Sequence, residues 1–385
     1  MNSQQAADGE PSSVSPAELH EWLVRGTPFT ALDVRDRDEF EAWHVDGPAV
    51  TARQVPHMKF LQAQVKGTAA ALVDGLPEPV VVVCAEGEAS AHAADLLVDA
   101  GVDARNLDGG MDAWASLLVA RDLGEDGAVV QYDRPSSGCL SYLVVDGDEA
   151  AVVDPLRAFA DRYVAEARER GADLRYAIDT HVHADHVSGV RAVALASDAE
   201  PVVPELARER GLAFDARPVS DGERLPLGDS ELTAVHLPGH TTEMTGLRYD
   251  GVLFGGDSLF LDGVARPDLE HGDDGAPDAA RRLHQTLHER LLQLPPETRL
   301  APAHYAPGTE RAADETVTAT LGDLKTRLEA LARDEEEFVD HLLADATPRP
   351  NEFERIIAVN LGRDSLDEEA AAAIELGPNN CAVSR

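Results

Sequence analysis

The chain has 385 residues with 33 Lys+Arg against 71 Asp+Glu, a formal charge of −38 at pH 7. An acidic surface of this kind repels phosphate backbones, which excludes most nucleic-acid binders. A hydrophobic content of 43% is enough for ordinary cores and excludes a wholly disordered chain. At roughly 100–200 residues per domain, the length predicts two or three domains.

Only Lys59, Lys66 and Lys325 are lysines, leaving 33 − 3 = 30 arginines, and the acidic excess is spread along the chain. Self-repulsion among the carboxylates opposes compaction, and its range falls from ~10 Å at 0.1 M salt to ~3 Å at 1 M. The composition resembles that of proteins from halophiles. Cys84, Cys139 and Cys381 stand far apart without a CxxC pair, so neither a disulfide framework nor a zinc knuckle is encoded, and a reducing compartment is expected. Residues 1–16 lack both a basic start and an apolar run, and no stretch of about 18 apolar residues occurs. The expectation is a soluble cytoplasmic protein with no nucleic-acid and no membrane partner. The oligomeric state, a homo-oligomer included, stays open.

Residues 1–13 read as a frayed terminus. Order begins at Ser15-Pro16-Ala17-Glu18, where Ser can cap a helix, Pro suits the first turn and Glu can reach back. An apolar segment ends in Leu32-Asp33-Val34-Arg35; Glu39-Phe40 and Trp43-His44 follow, and Val80-Val81-Val82-Val83 reads as a strand running into Cys84. Residues 89–100 have helical spacing, with Ala93, Leu96 and Leu97 on one face. Asn106-Leu107-Asp108-Gly109-Gly110 supplies a turn before a short helix at 111–118. Strands alternating with helices predict a small, mainly parallel α/β domain over 14–122.

The charged stretch Arg121-Asp122-Leu123-Gly124-Glu125-Asp126-Gly127 marks the boundary to a second domain, 128–345. There, residues 140–145 and 150–153 read as strands paired around Asp146-Gly147-Asp148. A helix at 158–170 leads to a strand at 176–178. Further strands are expected at 232–236, 247–249, 252–254 and 299–301, with helices at 277–294 and 321–344. Residues 346–385 read as a C-terminal extension, partly ordered after Pro350.

The strand at 176–178 runs into Thr180-His181-Val182-His183-Ala184-Asp185-His186, a loop on which neutral imidazoles and a carboxylate can converge on a metal. Three later fragments, Leu237-Pro238-Gly239-His240-Thr241, Gly255-Gly256-Asp257-Ser258 and Ala301-Pro302-Ala303-His304-Tyr305, each put a donor near a strand end beside small residues. His20, His44, His57, His92, His236, His271 and His341 are singletons, and His284 with His288 reads as a solvated helix face. Cys139 reads as a small buried hydrophobe and Cys381 as incidental.

The order HxHxDH, PGH, GD and PAH resembles the metallo-β-lactamase superfamily over 128–345. That resemblance implies an αββα domain, two sheets sandwiched between helices with metal at the strand ends. Carried over by motif, it would place His181, His183 and His240 at one metal position, Asp185, His186 and His304 at a second, and Asp257 between them. The donors suit a dinuclear Zn(II) site that makes a hydroxide to hydrolyse a thioester or lactone. They equally suit one Fe(II) held by two histidines and a carboxylate, with positions left for substrate and O₂. Ligand types alone do not decide. His183-Ala184-Asp185-His186-Val187-Ser188-Gly189 and Gly263-Val264-Ala265-Arg266-Pro267-Asp268-Leu269 look more like the persulfide dioxygenase branch than like glyoxalase II. That likeness implies primary iron ligands His181, His240 and Asp257, with His183, Asp185, His186 and His304 behind them or at a second metal. Arg266 would then offer charge to an anionic sulfur substrate or hold its loop through Asp268.

The front domain resembles the rhodanese fold through Leu32-Asp33-Val34-Arg35, Glu39-Phe40, Trp43-His44, Cys84 after its valine strand, and Asn106 to Trp114. The resemblance implies that Cys84 is a catalytic, sulfur-carrying nucleophile supported by loop N–H groups and a helix N-terminus. The loop Cys84-Ala85-Glu86-Gly87-Glu88-Ala89-Ser90 departs from the family in having two glutamates and no arginine. Like charges 4 Å apart repel by about 4 kcal/mol at an effective dielectric of 20, which disfavours anionic thiosulfate.

The two resemblances together imply an α/β rhodanese-like domain followed by the αββα domain. The activity implied is Fe(II)-dependent oxidation of a low-molecular-weight thiol persulfide by O₂ to sulfite and thiol, with sulfurtransferase action in front. The alternative is a dinuclear Zn(II) thioester hydrolase with a non-catalytic interaction module. The charge pattern carries its own expectation: the melting temperature rises between about 0.1 and about 2 M KCl, and an unchanged Tm removes the salt-adaptation reading.

Overall fold

The computed structural model describes residues 13–124, 127–344, 348–375, 377 and 379–384, divided into two units, Met1–Leu117 and Leu118–Arg385. Of the terminus expected to fray, residues 1–12 lie outside the described residues, whereas Ser13 belongs to a strand.

The first unit holds one parallel sheet in the order β1-β5-β4-β2-β3. Its strands are β1 (Ser13–Val14), β2 (Phe29–Asp33), β3 (Val50–Gln54), β4 (Val80–Val83) and β5 (Ala104–Leu107). β2 and β4 are buried along their whole length, which is why they read as unbroken apolar runs. Between and after the strands lie helices α1 (Pro16–Val24), α2 (Arg37–Ala42), α3 (His57–Lys66), α4 (Glu88–Asp99) and α5 (Gly110–Ala115). Val80 and Val82 pack against Ala93, Ala94 and Leu97 of α4, while Val81 and Val83 pack with Leu19 of α1 and Met111 and Trp114 of α5. Alternate valines of one strand therefore serve two cores.

The boundary differs from the expected one. β6 (Val119–Asp122) pairs antiparallel with β7 (Val129–Arg134), so backbone hydrogen bonds draw the residues at the start of the charged stretch into the second unit. A seven-stranded sheet continues through β8 (Cys139–Asp146), β9 (Glu149–Val153), β10 (Asp173–Ile178), β11 (Glu200–Pro204) and β12 (Arg217–Val219). Helices α6 (Ala160–Glu169) and α7 (Val190–Ala196) cover one face of it, with Tyr163, Val164 and Val193 against Val152 and Ala177.

The second, six-stranded sheet is built from β13 (Arg224–Leu227), β14 (Ser230–His236), β15 (Thr245–Tyr249) and β16 (Val252–Gly256). Beyond β17 (Gly263–Ala265), which lies outside it, come β18 (Arg299–Pro302) and β19 (Ala319–Thr320). The two sheets share a core in which the Tyr142 and Phe254 rings lie 5.0 Å apart. Helices α8 (Gly272–Glu289), α9 (Leu321–Arg327) and α10 (Glu335–Ala344) add Leu283, Leu287, Leu324 and Phe338 to it. The long helix expected at 277–294 thus starts and stops earlier, and that expected at 321–344 is broken between α9 and α10 by a short 3₁₀ turn, Glu329–Ala332.

The C-terminal stretch is no mere extension. α11 (Phe353–Asn360), α12 (Glu368–Ile374) and β20 (Ala382–Ser384) fold into the second unit, β20 pairing with β17 and Glu375 forming a buried 2.7 Å ion pair with Arg134. Among the described residues, no helix is long and apolar enough to cross a membrane.

Gly256, at the end of β16, has φ +52°, and a Cβ there would come within 2.1 Å of the Met244 methyl and 2.6 Å of Thr180 Oγ1. Gly256→Ala is expected to lower stability by about 1–3 kcal/mol in urea unfolding. A loss below about 0.5 kcal/mol, the range of neutral surface changes, would show that this packing yields.

Candidate metal centre and sulfur-carrying loop

Four strands of the second unit release the donors at their carboxyl ends: β10 before His181, β14 before His240, β16 before Asp257 and β18 before His304. His181 Nε2 and His240 Nε2 lie 3.7 and 3.5 Å from Asp257 Oδ2, all three side chains being buried. Among the described residues, His181 Nε2 and Asp257 Oδ2 have no hydrogen-bond partner. The spacing suits ligands held about 2.0–2.2 Å from one common ion. These orphaned atoms fit a metal.

The opposite ring nitrogens are fixed. Thr180 Oγ1 donates to Asp154 Oδ2 at 3.0 Å and so accepts from His181 Nδ1 at 3.0 Å. His240 Nδ1 donates to the Arg266 carbonyl at 2.9 Å. Each bond places the ring proton on Nδ1 and leaves the Nε2 lone pair facing Asp257.

The close grouping of His181, His240 and Asp257 does not include His183, whose ring nonetheless stands 4.1 Å from that of His181 with its buried Nδ1 lacking a partner among the described residues. His183 Nε2 turns to Asp154 Oδ1 at 3.1 Å, with Asp179 Oδ1 at 3.8 Å. Asp154, just past β9, also accepts from the Thr180 N–H at 2.7 Å and therefore anchors the whole loop. Its sequence signal was legible: an acid directly ending a buried apolar strand.

Asp185, His186 and His304 do meet, and Cys139 joins them, the four donor atoms lying within 4.8 Å of one another. Cys139 is buried in a hydrophobic cluster, as expected of a small hydrophobe, and its Sγ also donates to Asp185 Oδ2 at 3.3 Å, which makes it a polar member of the site as well. Cys381 is likewise not incidental: its thiol groups with Asp257 and His304. Neither cysteine carries a motif that could have revealed this. His304 links the two clusters, its Nδ1 2.5 Å from Asp257 Oδ1 and its Nε2 2.6 Å from Asp185 Oδ2.

The electrostatics follow from burial and these contacts. Burial pushes the Asp257 carboxyl up, but His304, then His181 and His240, outweigh it and hold the group below the usual carboxylate range. Burial, followed by His183, pushes His181 well below an ordinary imidazole, keeping it neutral. For His304, burial opposes the proton, yet Asp185 and Asp257 raise it well above 6.5. Burial pushes Asp179 up to about 6.

Arg266 is committed to structure. Its guanidinium donates to both Asp268 oxygens, at 2.7 and 3.0 Å, and to the carbonyls of Pro348 and Asn380 at 2.9 and 3.0 Å. Of the two roles considered for it, the loop-holding one matches these bonds; a role as the substrate's cation does not. Beside His240 opens a cleft of about 740 Å³, lined in part by Thr241, Glu270, His271, Arg282 and Arg290.

In the first unit, Cys84 follows β4 and is buried, and its Sγ accepts from Gly87 N at 3.1 Å, Ser90 N at 3.3 Å and Ser90 Oγ at 3.1 Å. Gly87, at φ +97°, makes the turn that aims these donors. Glu86 and Glu88 are exposed and face solvent rather than the thiol. The three donors are neutral.

The model of the metallo-beta-lactamase superfamily matches residues 134–304, and that of the rhodanese-like domain matches residues 15–117. A probable metallo-hydrolase of Burkholderia pseudomallei (strain 1710b) is 31% identical over 217 residues, covering 45% of this chain and 71% of that protein. The chain belongs to the metallo-beta-lactamase superfamily. A rhodanese-like domain precedes this superfamily domain. Persulfide dioxygenase ETHE1 of Homo sapiens is 29% identical over 261 residues, which is 65% of this chain and 96% of that protein. A metallo-beta-lactamase crystal structure from Staphylococcus aureus subsp. aureus COL aligns with a TM-score of 0.55 and 26% identity, covering 62% of this chain and 74% of that one. The relatives of this chain thus bear both dioxygenase and hydrolase names.

Proposed function

We propose that the protein oxidises a low-molecular-weight thiol persulfide with O₂ at a single Fe(II), and that its front domain carries sulfane sulfur on Cys84. The balance is RSSH + O₂ + H₂O → RSH + SO₃²⁻ + 2 H⁺. The observation carrying this reading is the convergence of two imidazoles and one carboxylate, His181, His240 and Asp257, whose donor atoms lie within 4.8 Å of one another with His181 Nε2 and Asp257 Oδ2 orphaned among the described residues. An Fe(II) ion in such a set supplies electrons and open coordination positions for O₂ and a sulfur ligand. The likeness to a persulfide dioxygenase along nearly that protein's full length supports the same reading.

The chain's own groups do the positioning. Thr180 and the Arg266 carbonyl hold the two imidazoles in the tautomer that presents Nε2. His304, shared between Asp257 and Asp185, keeps Asp257 ionised. Burial of all these groups excludes bulk water from the reacting sulfur, and the cleft beside His240 gives room for the thiol's carrier. At Cys84 the sulfur step is Cys84–S⁻ + RS–SH → Cys84–S–SH + RS⁻, the thiolate attacking the outer sulfur and the thiol leaving. The Gly87 and Ser90 donors stabilise the anionic sulfur at either stage.

One observation favours the second reading, a dinuclear Zn(II) thioester hydrolase: the Cys139, Asp185, His186 and His304 cluster supplies donors for a further ion. Metal analysis of anaerobically prepared protein, with O₂ uptake followed on adding a persulfide, separates the two. One iron per chain with persulfide-dependent uptake is expected. Two zinc ions with thioester cleavage would replace the proposal by its alternative. Cys84→Ser is expected to abolish sulfur transfer from persulfide to a thiol acceptor while O₂ uptake persists; transfer at the wild-type rate would make the front domain an interaction module.

A further inference from the structure

The loop that carries the histidine cluster is buried yet irregular, so its peptide groups need partners that neither a helix nor a strand provides. Those partners come from a distant part of the chain. Asn360, at the end of α11 and itself buried, donates from Nδ2 to the carbonyls of His183 at 3.0 Å and His186 at 2.8 Å. Its Oδ1 accepts from the Ser188 N–H at 2.8 Å. Glu375, beyond α12, accepts from the Val187 N–H at 2.7 Å with one oxygen and from Arg134 at 2.7 Å with the other. A single side chain thus satisfies three peptide groups between residues 183 and 188, and its neighbour in the tail a fourth.

The tail also reaches the other histidine. Arg266, whose carbonyl fixes His240, donates to the carbonyls of Pro348 and Asn380, and its own N–H donates to the Cys381 carbonyl at 3.1 Å. We propose that the C-terminal segment is a clamp on the metal centre and that Asn360 is its principal positioning residue, setting the path of the His181–His186 loop and thereby the affinity and coordination of the bound ion. The proposal rests on the metal reading of the site and is independent of the substrate.

The test uses the full chain and Co(II) as a spectroscopic probe, with affinity measured by chelator competition and ligand arrangement by the visible absorption band. Asn360→Ala removes all three loop bonds. Asn360→Asp keeps the acceptor for Ser188 and turns the donors into a repulsive acceptor, and it carries the comparison should the alanine variant not fold. Ile356→Ala opens a matched cavity in the same helix, and Ile356 is buried without a bond to the loop. The expected result is a lowered Tm of the metal-free protein in all three. Co(II) binding weakens about 10–100-fold, with a shifted band, in the Asn360 variants alone. Affinity within about twofold of wild type in the Asn360 variants, or equal weakening in Ile356→Ala, overturns the proposal. Wild-type protein that binds no Co(II) overturns the metal reading itself, whereas wild-type binding with unaffected Asn360 variants overturns the clamp alone.

Discussion

A carboxylate with no solvent exposure at the junction of two sheets has to be met by positive charge, and most of the second unit is arranged around that requirement at Asp257. His304 supplies charge on one oxygen, and the other oxygen, without a hydrogen-bond partner among the described residues, faces two imidazole lone pairs. Removing a partner from such a cage leaves an uncompensated buried charge, a far larger effect than losing a surface ion pair. The strand ends, the glycine at 256 and the close approach of β16 to β18 all serve to bring these few atoms together.

The same constraint explains why so many polar groups stand behind the donors. Thr180, Asp154 and the Arg266 carbonyl each act on a ring nitrogen or on the loop that bears it. Glu243 accepts from the Val182 N–H and from Arg210 beneath the same loop. A histidine ring turns freely about its side-chain bonds unless its second nitrogen is held, so these bonds decide which atom faces the metal. The tail extends that logic from rings to the backbone.

In the first unit the physical problem is different. A single buried sulfur, that of Cys84, is met by neutral N–H and O–H donors from the turn and first residues of α4. The acidic side chains of that loop sit outside, where salt screens them.

Both units were readable along the chain, because buried parallel strands require runs such as Val80 to Val83 and because donors next to small residues mark strand ends. The histidine motif, the late aspartate and Cys84 were legible for the same reason: their chemistry demands those residue types in that order. The grouping of His183 with Asp154, the entry of Cys139 and Cys381 into the site, and the role of Asn360 were not. No local pattern marks a side chain whose partner lies on another segment, 29 residues away for His183 and 177 for Asn360. Sequence determined which atoms were on hand and at which strand ends they would emerge. Tertiary structure alone decided which lone pairs share a centre, because ring orientation and loop path depend on hydrogen bonds between segments that meet only when the two sheets have packed.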